Sequence, residues 1–138
     1  MNLLEQLRRD EGCIHHAYQD TLGKWTIGVG RLIDKNGGGL SDQEIDMLLD
    51  NDIEAKTNEV KRFCPWLARL NEPRQATVIA MAFQVGLKGL QGFRKALQAI
   101  EDGQYAEAAE HMLDSRWAKQ TPARAARHAQ QMLTGEWV

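Results

Sequence analysis

The stretch DEGCIHHAYQDTLGKWTIGVGR, residues 10–31, predicts a helix end followed by a β-hairpin. The segment before it, residues 2–11, carries apolar side chains at helical spacing, and Glu11 lies on or beside their face. Gly12 can end that helix in a left-handed cap. The apolar face is made by three leucines, Leu3, Leu4 and Leu7. The sequence therefore predicts a first helix that ends at an acidic side chain.

A carboxyl group at this position suits acid chemistry. At the C-terminal end of a helix it faces the negative end of the helix dipole, and partial burial also disfavours its charged form. We therefore expect Glu11 to keep its proton, as a general acid must. A nearby cation would act in the opposite direction.

The hairpin carries a second carboxyl group and a hydroxyl group. Asp20 and Gly23 stand at the first and fourth positions of a predicted type I turn. In the strand that follows, we expect one apolar face and one open face with Thr26 beside bare backbone. The alternating residues are Trp25, Ile27 and Val29 on one side and Thr26, Gly28 and Gly30 on the other. Asp20 on a solvated turn should be ionised. Two carboxyl groups in contrasting environments are typical of glycoside hydrolysis, although each residue alone is more often an ordinary surface, turn or strand residue.

The combination is more specific than its parts. Glu, eight residues, Asp, five residues, Thr, then Ile-Gly-Val-Gly resembles the bacteriophage T4-type lysozymes, glycoside hydrolase family 24. The resemblance continues in order over nearly the whole chain. Its further matches are Tyr18, Phe83-Gln84, Gly92-Phe93, Ser115-Arg116-Trp117, Gln120-Thr121-Pro122, Arg124-Ala125, Arg127 and Thr134-Gly135 with Trp137.

The resemblance implies roles for individual residues. Glu11 would be the general acid, Asp20 the carboxylate that supports an attacking water or the developing positive charge, and Thr26 a residue that helps to place that water. The saccharide site would be lined by Leu32, Phe83, Gln84 and Arg116. Supporting ion pairs would join Arg127 to Asp10 and Arg124 to Glu11. Trp117 is expected in the core rather than as a sugar platform.

Several positions depart from the better-known pattern. Arg31 stands where a His is familiar, and Leu22 replaces an acidic residue of the cleft. Ala96 and His111 replace polar sugar contacts. The loop between Arg31 and Ser41 is short, so we expect a trimmed small lobe and altered glycan contacts.

The expected fold class is α+β and lysozyme-like, with a mainly helical C-terminal lobe, a small N-terminal hairpin lobe and a long connecting helix. Residues 1–138 should form one lysozyme domain. Within it, residues 13–60 would be the hairpin lobe with the connecting helix, and residues 61–138 with helix 2–11 the helical lobe. A capping box at Ser41-Asp42-Gln43-Glu44 predicts where the long helix begins, and Gly86 is expected to end the central helix.

Composition limits the other functions. Charged residues make up 26% and hydrophobic residues 43%, as in ordinary globular proteins. Residues 1–60 carry 6 basic and 12 acidic side chains, a net charge of −6, and residues 61–138 carry 11 and 7, a net charge of +4. No basic stripe with interleaved aromatic residues indicates nucleic-acid binding. Cys13 and Cys64 are expected to be free thiols.

We expect no cofactor and no metal, because no histidine has a partner at ligand spacing. The expected partner is bacterial peptidoglycan, with no membrane insertion and with a monomeric chain. No signal peptide is evident, so the protein would accumulate in the host cytoplasm and reach the periplasm at lysis, through a holin-type pore.

Three rival functions remain at this stage. A lytic transglycosylase would cut the same bond with the same acid but without water. A wall-binding or antirestriction-like module would keep the fold and lack the activity. A helical adaptor has only its amphipathic helices in its favour. The expected activity is a muramidase that cleaves the β-1,4 bond between N-acetylmuramic acid and N-acetylglucosamine, acting by inversion as a phage endolysin.

Overall fold

The structure, a computed structural model, describes residues 1–138. A three-stranded antiparallel sheet of order β1-β2-β3 lies near the N terminus, and the rest of the chain is mainly helical. This confirms the predicted α+β class. The elements in chain order are α1 (Leu3–Glu11), β1 (Ile14–Gln19), β2 (Trp25–Gly28), β3 (Arg31–Leu32), α2 (Asp42–Phe63), a 3₁₀ helix (Pro65–Arg69), α3 (Glu72–Gln91), α4 (Arg94–Glu101), α5 (Tyr105–Leu113), α6 (Arg116–Gln120) and α7 (Pro122–Thr134).

Internal contacts divide the chain into two compact units, residues 1–49 and residues 50–138. The first unit contains α1 together with the sheet, and α2 begins in the first unit and ends in the second. The domain organisation inferred from the sequence, with helix 2–11 grouped with residues 61–138, stays a prediction. No helix combines the length and the hydropathy that crossing a membrane would require.

Helix α1 is capped at both ends by local interactions. The Asn2 side chain accepts from the backbone N–H of Glu5 at 2.9 Å, and the Glu5 carboxylate accepts from the N–H of Asn2 at 3.1 Å. This capping box satisfies donors of the first turn. At the other end Gly12 has φ 80 and ψ 176, so the predicted left-handed cap is wrong. The extended ψ sends the chain directly from Glu11 into β1, and glycine tolerates the positive φ.

Thr26 is the one buried residue of β2. Thr26 is 5% exposed, whereas Trp25 is 47% exposed and Val29 36%. The prediction of an open face at Thr26 is therefore wrong. The register explains why: Thr26 lies on the central strand, opposite Tyr18 on one side and Leu32 on the other. Neighbours on both sides of a central strand cover a residue whose own side chain is small.

The second unit contains the main hydrophobic core. Within it α5 packs against α4 and α7, and α7 also packs against α3 and α6. Helix α3 consists of two helical segments joined at a kink at Gly86, whose φ 77 and ψ 168 are not helical. The first segment therefore ends at Gly86, as the sequence predicts, and the second runs on to Gln91. The largest fully buried side chains here are Leu67, Met81, Leu90, Ile100, Met112, Met132, Val60, Val78, Thr77 and Cys64.

Candidate active site

Glu11 is the last residue of α1, and its carboxyl group lies beside the turn that joins β2 to β3. A Cβ atom built on Gly30 would stand 3.4 Å from Oε2 of Glu11 and 3.6 Å from its Cδ. Gly30 has φ 69, a conformation that side chains of L-residues rarely adopt. Glycine at this position therefore serves two needs, because it permits the turn and leaves room for the carboxyl group.

Asp20 closes the turn between β1 and β2, as the sequence predicts. The N–H of Gly23 donates to the backbone carbonyl of Asp20 at 2.9 Å. Its side-chain Oδ1 accepts from the N–H groups of Leu22 at 2.9 Å and Lys24 at 2.8 Å. These bonds hold the carboxylate in place through one oxygen and leave Oδ2 available for another partner.

The hydroxyl hydrogen of Thr26 is already used in a hydrogen bond to the backbone. Its Oγ1 donates to the backbone carbonyl of Lys24 at 3.0 Å. A hydroxyl group has one hydrogen and two lone pairs, so Thr26 can offer a further partner only an acceptor. This matters for any water that must donate its hydrogens and keep a lone pair free.

The strand register brings two predicted site residues, Thr26 and Leu32, to one face of the sheet. Residues directly opposite in an antiparallel pair share a face, so Tyr18, Thr26 and Leu32 form a row across the three strands. Asp20 lies just beyond the end of β1, two residues after Tyr18, in the turn that leads to β2.

An ion pair connects β3 to the start of α2. The Arg31 guanidinium donates to the Glu44 carboxylate at 2.7 Å and to the carbonyl of Gly39 at 3.2 Å. Glu44 also accepts from the N–H of Ser41 at 2.9 Å, and its own N–H donates to the Ser41 hydroxyl at 3.2 Å, which confirms the predicted capping box. The hydrogen bond from Arg31, followed by those from Ser41, lowers the pKa of Glu44 to about 2. The departure at Arg31 therefore has a structural role next to Leu32.

In the second unit, Phe83 and Gln84 lie on α3 just before its kink. Phe83 is 46% exposed and lines a pocket of about 250 Å³ whose other walls carry charges from α2. The walls are formed by Asp52, Ala55, Lys56, Glu59 and Phe83. Gln84 is exposed, and its Oε1 accepts from the indole N–H of Trp117 at 2.9 Å. Trp117 itself is 5% exposed, so it belongs to the core as predicted.

Arg116 is the first residue of α6, a short helix for which the sequence analysis had no signal beyond its motif. Ser115 caps this helix, because its hydroxyl accepts from the N–H of Ala118 at 3.1 Å. Ser115 also lines a pocket of about 430 Å³. Ala96 and His111, the two departures at sugar-contact positions, line the same pocket. The structure thus brings Ala96 of α4 and His111 of α5 to one pocket.

The predicted ion pairs stay predictions, because each would join the two compact units. In the first unit, Asp10 accepts from Nε of Arg9 at 2.9 Å. In the second, Arg124 and Arg127 are exposed on α7. Burial, and then the positive charges of Arg124 and Arg127, lower the pKa of His128. No set of three or more His, Cys, Asp or Glu side chains is arranged to hold a metal ion.

Gly30 is the residue whose part in the site the sequence reasoning missed. The sequence predicts it only as part of an open strand face, and its one signal there is the Gly-Val-Gly spacing. The first unit thus carries two carboxyl groups, Glu11 and Asp20, beside the two turns that flank β2, and a pair of Asp or Glu carboxyl groups is the usual catalytic apparatus of glycoside hydrolases.

Comparison with known proteins agrees with this class. The profile of the family described as phage lysozyme matches residues 8–132, and the chain belongs to this family. It is 32% identical to the pre-baseplate central spike protein Gp5 of Enterobacteria phage T4, over 98% of this chain and 28% of that protein. It is 29% identical to probable T4-type lysozymes 1 and 2 of Dictyostelium discoideum, over 97% of this chain and 95% of each of them. The protein is accordingly a muramidase-type peptidoglycan hydrolase with a lysozyme-like fold.

Proposed function

We propose that the chain hydrolyses the β-1,4 bond between N-acetylmuramic acid and N-acetylglucosamine with inversion at the anomeric carbon. Glu11 is the general acid, Asp20 the general base and Thr26 the residue that helps to hold the attacking water. The observation that carries the proposal is the placement of these groups around β2. The Glu11 carboxyl lies beside the turn at one end of the strand, Asp20 lies in the turn at the other end, and Thr26 lies between.

Glu11 performs the first half of the reaction. Its carboxyl group gives a proton to the glycosidic oxygen while the bond between that oxygen and the anomeric carbon breaks. Because residue 30 is a glycine, no side chain competes for the space beside the carboxyl group. The leaving sugar departs with the proton as a new hydroxyl group, and solvent later restores the proton to Glu11.

Asp20 and Thr26 act on the water. The attacking water donates one hydrogen to Oδ2 of Asp20 and the other to Oγ1 of Thr26, whose own hydrogen is engaged by the Lys24 carbonyl. Its free lone pair then forms the new bond to the anomeric carbon, and its proton passes to Asp20. Room for a water between two carboxyl groups is what an inverting enzyme needs, with a separation of about 6.5–9.5 Å.

The glycan contacts are part of the proposal. Leu32 on the sheet, and Phe83, Gln84 and Arg116 in the helical unit, would bind the sugars on either side of the scissile bond. The ion pairs of Asp10 with Arg127 and of Glu11 with Arg124 would support the acid. Phe83 is half-exposed and Gln84 is exposed, so an apolar ring and a polar amide are both accessible at this point of α3.

We further propose that the protein is a phage endolysin that acts in host cell lysis. In that role it would be held as a monomer in the host cytoplasm and released to the periplasm through a holin-type pore. The relatives themselves differ in role and length, because one is a spike protein that is several times longer than this chain and others are probable lysozymes of a similar length. Lysis of a host by the expressed protein, with and without a co-expressed pore, tests this role.

The first experiment is clearing of outer-membrane-permeabilised Gram-negative cells. The wild type should clear them, whereas Glu11→Gln and Asp20→Asn should be inactive but folded, as checked by circular dichroism. Matched controls are available. Glu54→Gln removes an exposed glutamate of α2, and Asp34→Asn changes another aspartate whose carboxylate accepts from a backbone N–H, that of Asn36 at 3.2 Å. Both controls should clear cells like the wild type, and clearing by Glu11→Gln would refute the assignment of the acid.

Product analysis separates the possible mechanisms. Inversion of a β-glycosidic bond gives an α-anomer as the first product, which proton NMR detects before mutarotation. A retaining reaction gives the β-anomer first, and a lytic transglycosylase gives anhydro-muramic ends without incorporation of water. The proposal requires free reducing ends in the α configuration.

A further inference from the structure

Gly37 lies in the loop that follows β3, and its α-carbon faces the side chain of Leu32. A Cβ atom built on Gly37 would stand 2.7 Å from Cγ and 2.9 Å from Cδ2 of Leu32. It would also stand 3.1 Å from the carbonyl oxygen of Leu32. Two carbon atoms that are not bonded to each other prefer separations of about 3.5–4.0 Å. The Leu32 side chain therefore occupies space that any other residue at position 37 would need.

This contact, rather than the backbone conformation, requires a glycine at position 37. Neither Gly37 nor its neighbour Gly38 has the positive φ that favours glycine over other residues. A Cβ atom built on Gly38 would have no atom within 4 Å. The two consecutive glycines therefore differ in their surroundings, because only Gly37 lies against Leu32.

The loop is tied down on both sides of this contact. The N–H of Gly37 donates to the carbonyl of Asp34 at 2.8 Å. The N–H of Gly39 donates to the carbonyl of Leu32 at 3.3 Å, and the carbonyl of Gly39 accepts from the Arg31 guanidinium at 3.2 Å. The loop would have to break these bonds to retreat, whereas a leucine side chain only has to rotate. A methyl group added at position 37 should therefore displace the Leu32 side chain.

We propose that Gly37 is a positioning residue that sets the depth of Leu32 in the glycan site. The inference rests on the proposed function, in which Leu32 binds a sugar. Thr26 is the cross-strand partner of Leu32, so Leu32 stands beside the residue proposed to hold the water. A Leu32 side chain pushed away from the loop would enter the space of the sugar and would have to adopt a strained rotamer before the sugar binds. The loop of residues 33–41 thereby becomes part of the glycan site.

The matched pair Gly37→Ala and Gly38→Ala tests the positioning role. Initial rates of cleavage are measured over a range of concentrations of soluble glycan strands prepared from peptidoglycan. Gly37→Ala should raise KM roughly two- to tenfold, the range expected when one side chain is forced off its rotamer. It should change kcat by less than about twofold, because the contact is made with bound sugar and not with the reacting atoms. Gly38→Ala should match the wild type in both constants. Equal KM values for the two variants, or a loss confined to kcat, would overturn the inference.

The double variant Leu32→Ala/Gly37→Ala separates an effect through Leu32 from general damage to the loop. Leu32→Ala removes both side-chain carbons that the new methyl group would meet, so adding Gly37→Ala should change neither KM nor melting temperature further. The same comparison decides the question if Gly37→Ala alone does not fold. A double variant as stable as Leu32→Ala supports the contact. A double variant that also fails to fold would overturn it, because the methyl group would then conflict with the loop itself.

Failure of the proposed function has a different signature. If the wild type does not cleave the glycan strands, or if Leu32→Ala leaves KM unchanged, Leu32 is not a sugar contact and the inference falls with that assignment. If the wild type cleaves them and Leu32→Ala raises KM, an unchanged KM for folded Gly37→Ala refutes the positioning role alone.

Discussion

Replacement of Gly30 by alanine tests the contact between the hairpin and the Glu11 carboxyl. Gly30 has φ 69, so the substitution forces an L-residue into the left-handed region, at a cost of about 1–2 kcal/mol. The new methyl carbon would also lie 3.4 Å from Oε2 and 3.6 Å from Cδ of Glu11. These are contacts rather than clashes, so the folding cost should stay near that of the backbone alone. The carboxyl group, however, loses the open space beside it.

Gly28→Ala is a matched control. Gly28 has φ 68, so alanine should cost the same 1–2 kcal/mol or so, but its Cβ would have no atom within 4 Å. Both variants should therefore lose similar free energy of unfolding. Only Gly30→Ala should lose activity beyond that effect, by roughly ten- to a hundredfold in kcat, because its methyl group fills the space beside the Glu11 carboxyl and so hinders the approach of the glycosidic oxygen. A misplacement of about 1 Å between reacting groups can have consequences of this size.

Urea denaturation followed by far-ultraviolet circular dichroism measures the stability of each variant. Initial rates of reducing-end release from purified peptidoglycan, at a temperature where both variants remain folded, measure activity. Equal activity of the two variants would refute the role of Gly30 beside the acid. This holds whether both variants keep full activity or both lose the same fraction of it.

Three further predictions concern separate features of the structure. Asp20→Asn should abolish cleavage yet change the free energy of unfolding by no more than about 0.5 kcal/mol, because an amide oxygen can still accept from the turn amides; full activity in a rate assay would contradict this. The ion pair of Arg31 with Glu44 should stabilise the fold fully above pH 4.5, the ordinary pKa of the carboxyl, and lose its effect as the pH falls toward about 2. Melting temperatures of wild type and Glu44→Gln should therefore differ at pH 6 and converge near pH 2, and a constant difference would be inconsistent with the pairing. Cys13 is exposed, whereas burial and then the charge of Glu101 raise the pKa of the buried Cys64 thiol to about 11. A disulfide reagent should thus label one thiol in the native protein and two after unfolding, and immediate labelling of both would contradict the burial.

Local signals in the sequence were sufficient for most of the secondary structure. The Asp20–Gly23 turn and the capping box at residues 41–44 both appear where spacing and turn chemistry predict them. Each of these features depends on interactions between residues a few positions apart. Such interactions can be read from a short window of sequence.

Features that depend on neighbours distant in the sequence were predicted less well. Thr26 was predicted to lie on an open face but is buried. Its burial depends on the third strand, which places Leu32 beside it. Helix α6 gave no periodic signal, since five residues are too few to show one. Gly86 ends the first segment of α3 as predicted, but the second helical segment that follows it, up to Gln91, was not predicted.

In the candidate site, too, features set by local sequence could be predicted and features set by distant residues could not. Carboxyl groups at a helix end and in a turn, and a hydroxyl group on the strand between, can be recognised from residue types and spacing, because backbone geometry alone determines where such groups stand. The contact of Gly30 with Glu11 and the bond from Trp117 to Gln84 could not be recognised, since the partners are 19 and 33 residues apart. Which group touches which, and in what orientation, follows from how the elements pack, and packing is decided by the whole set of side chains at once.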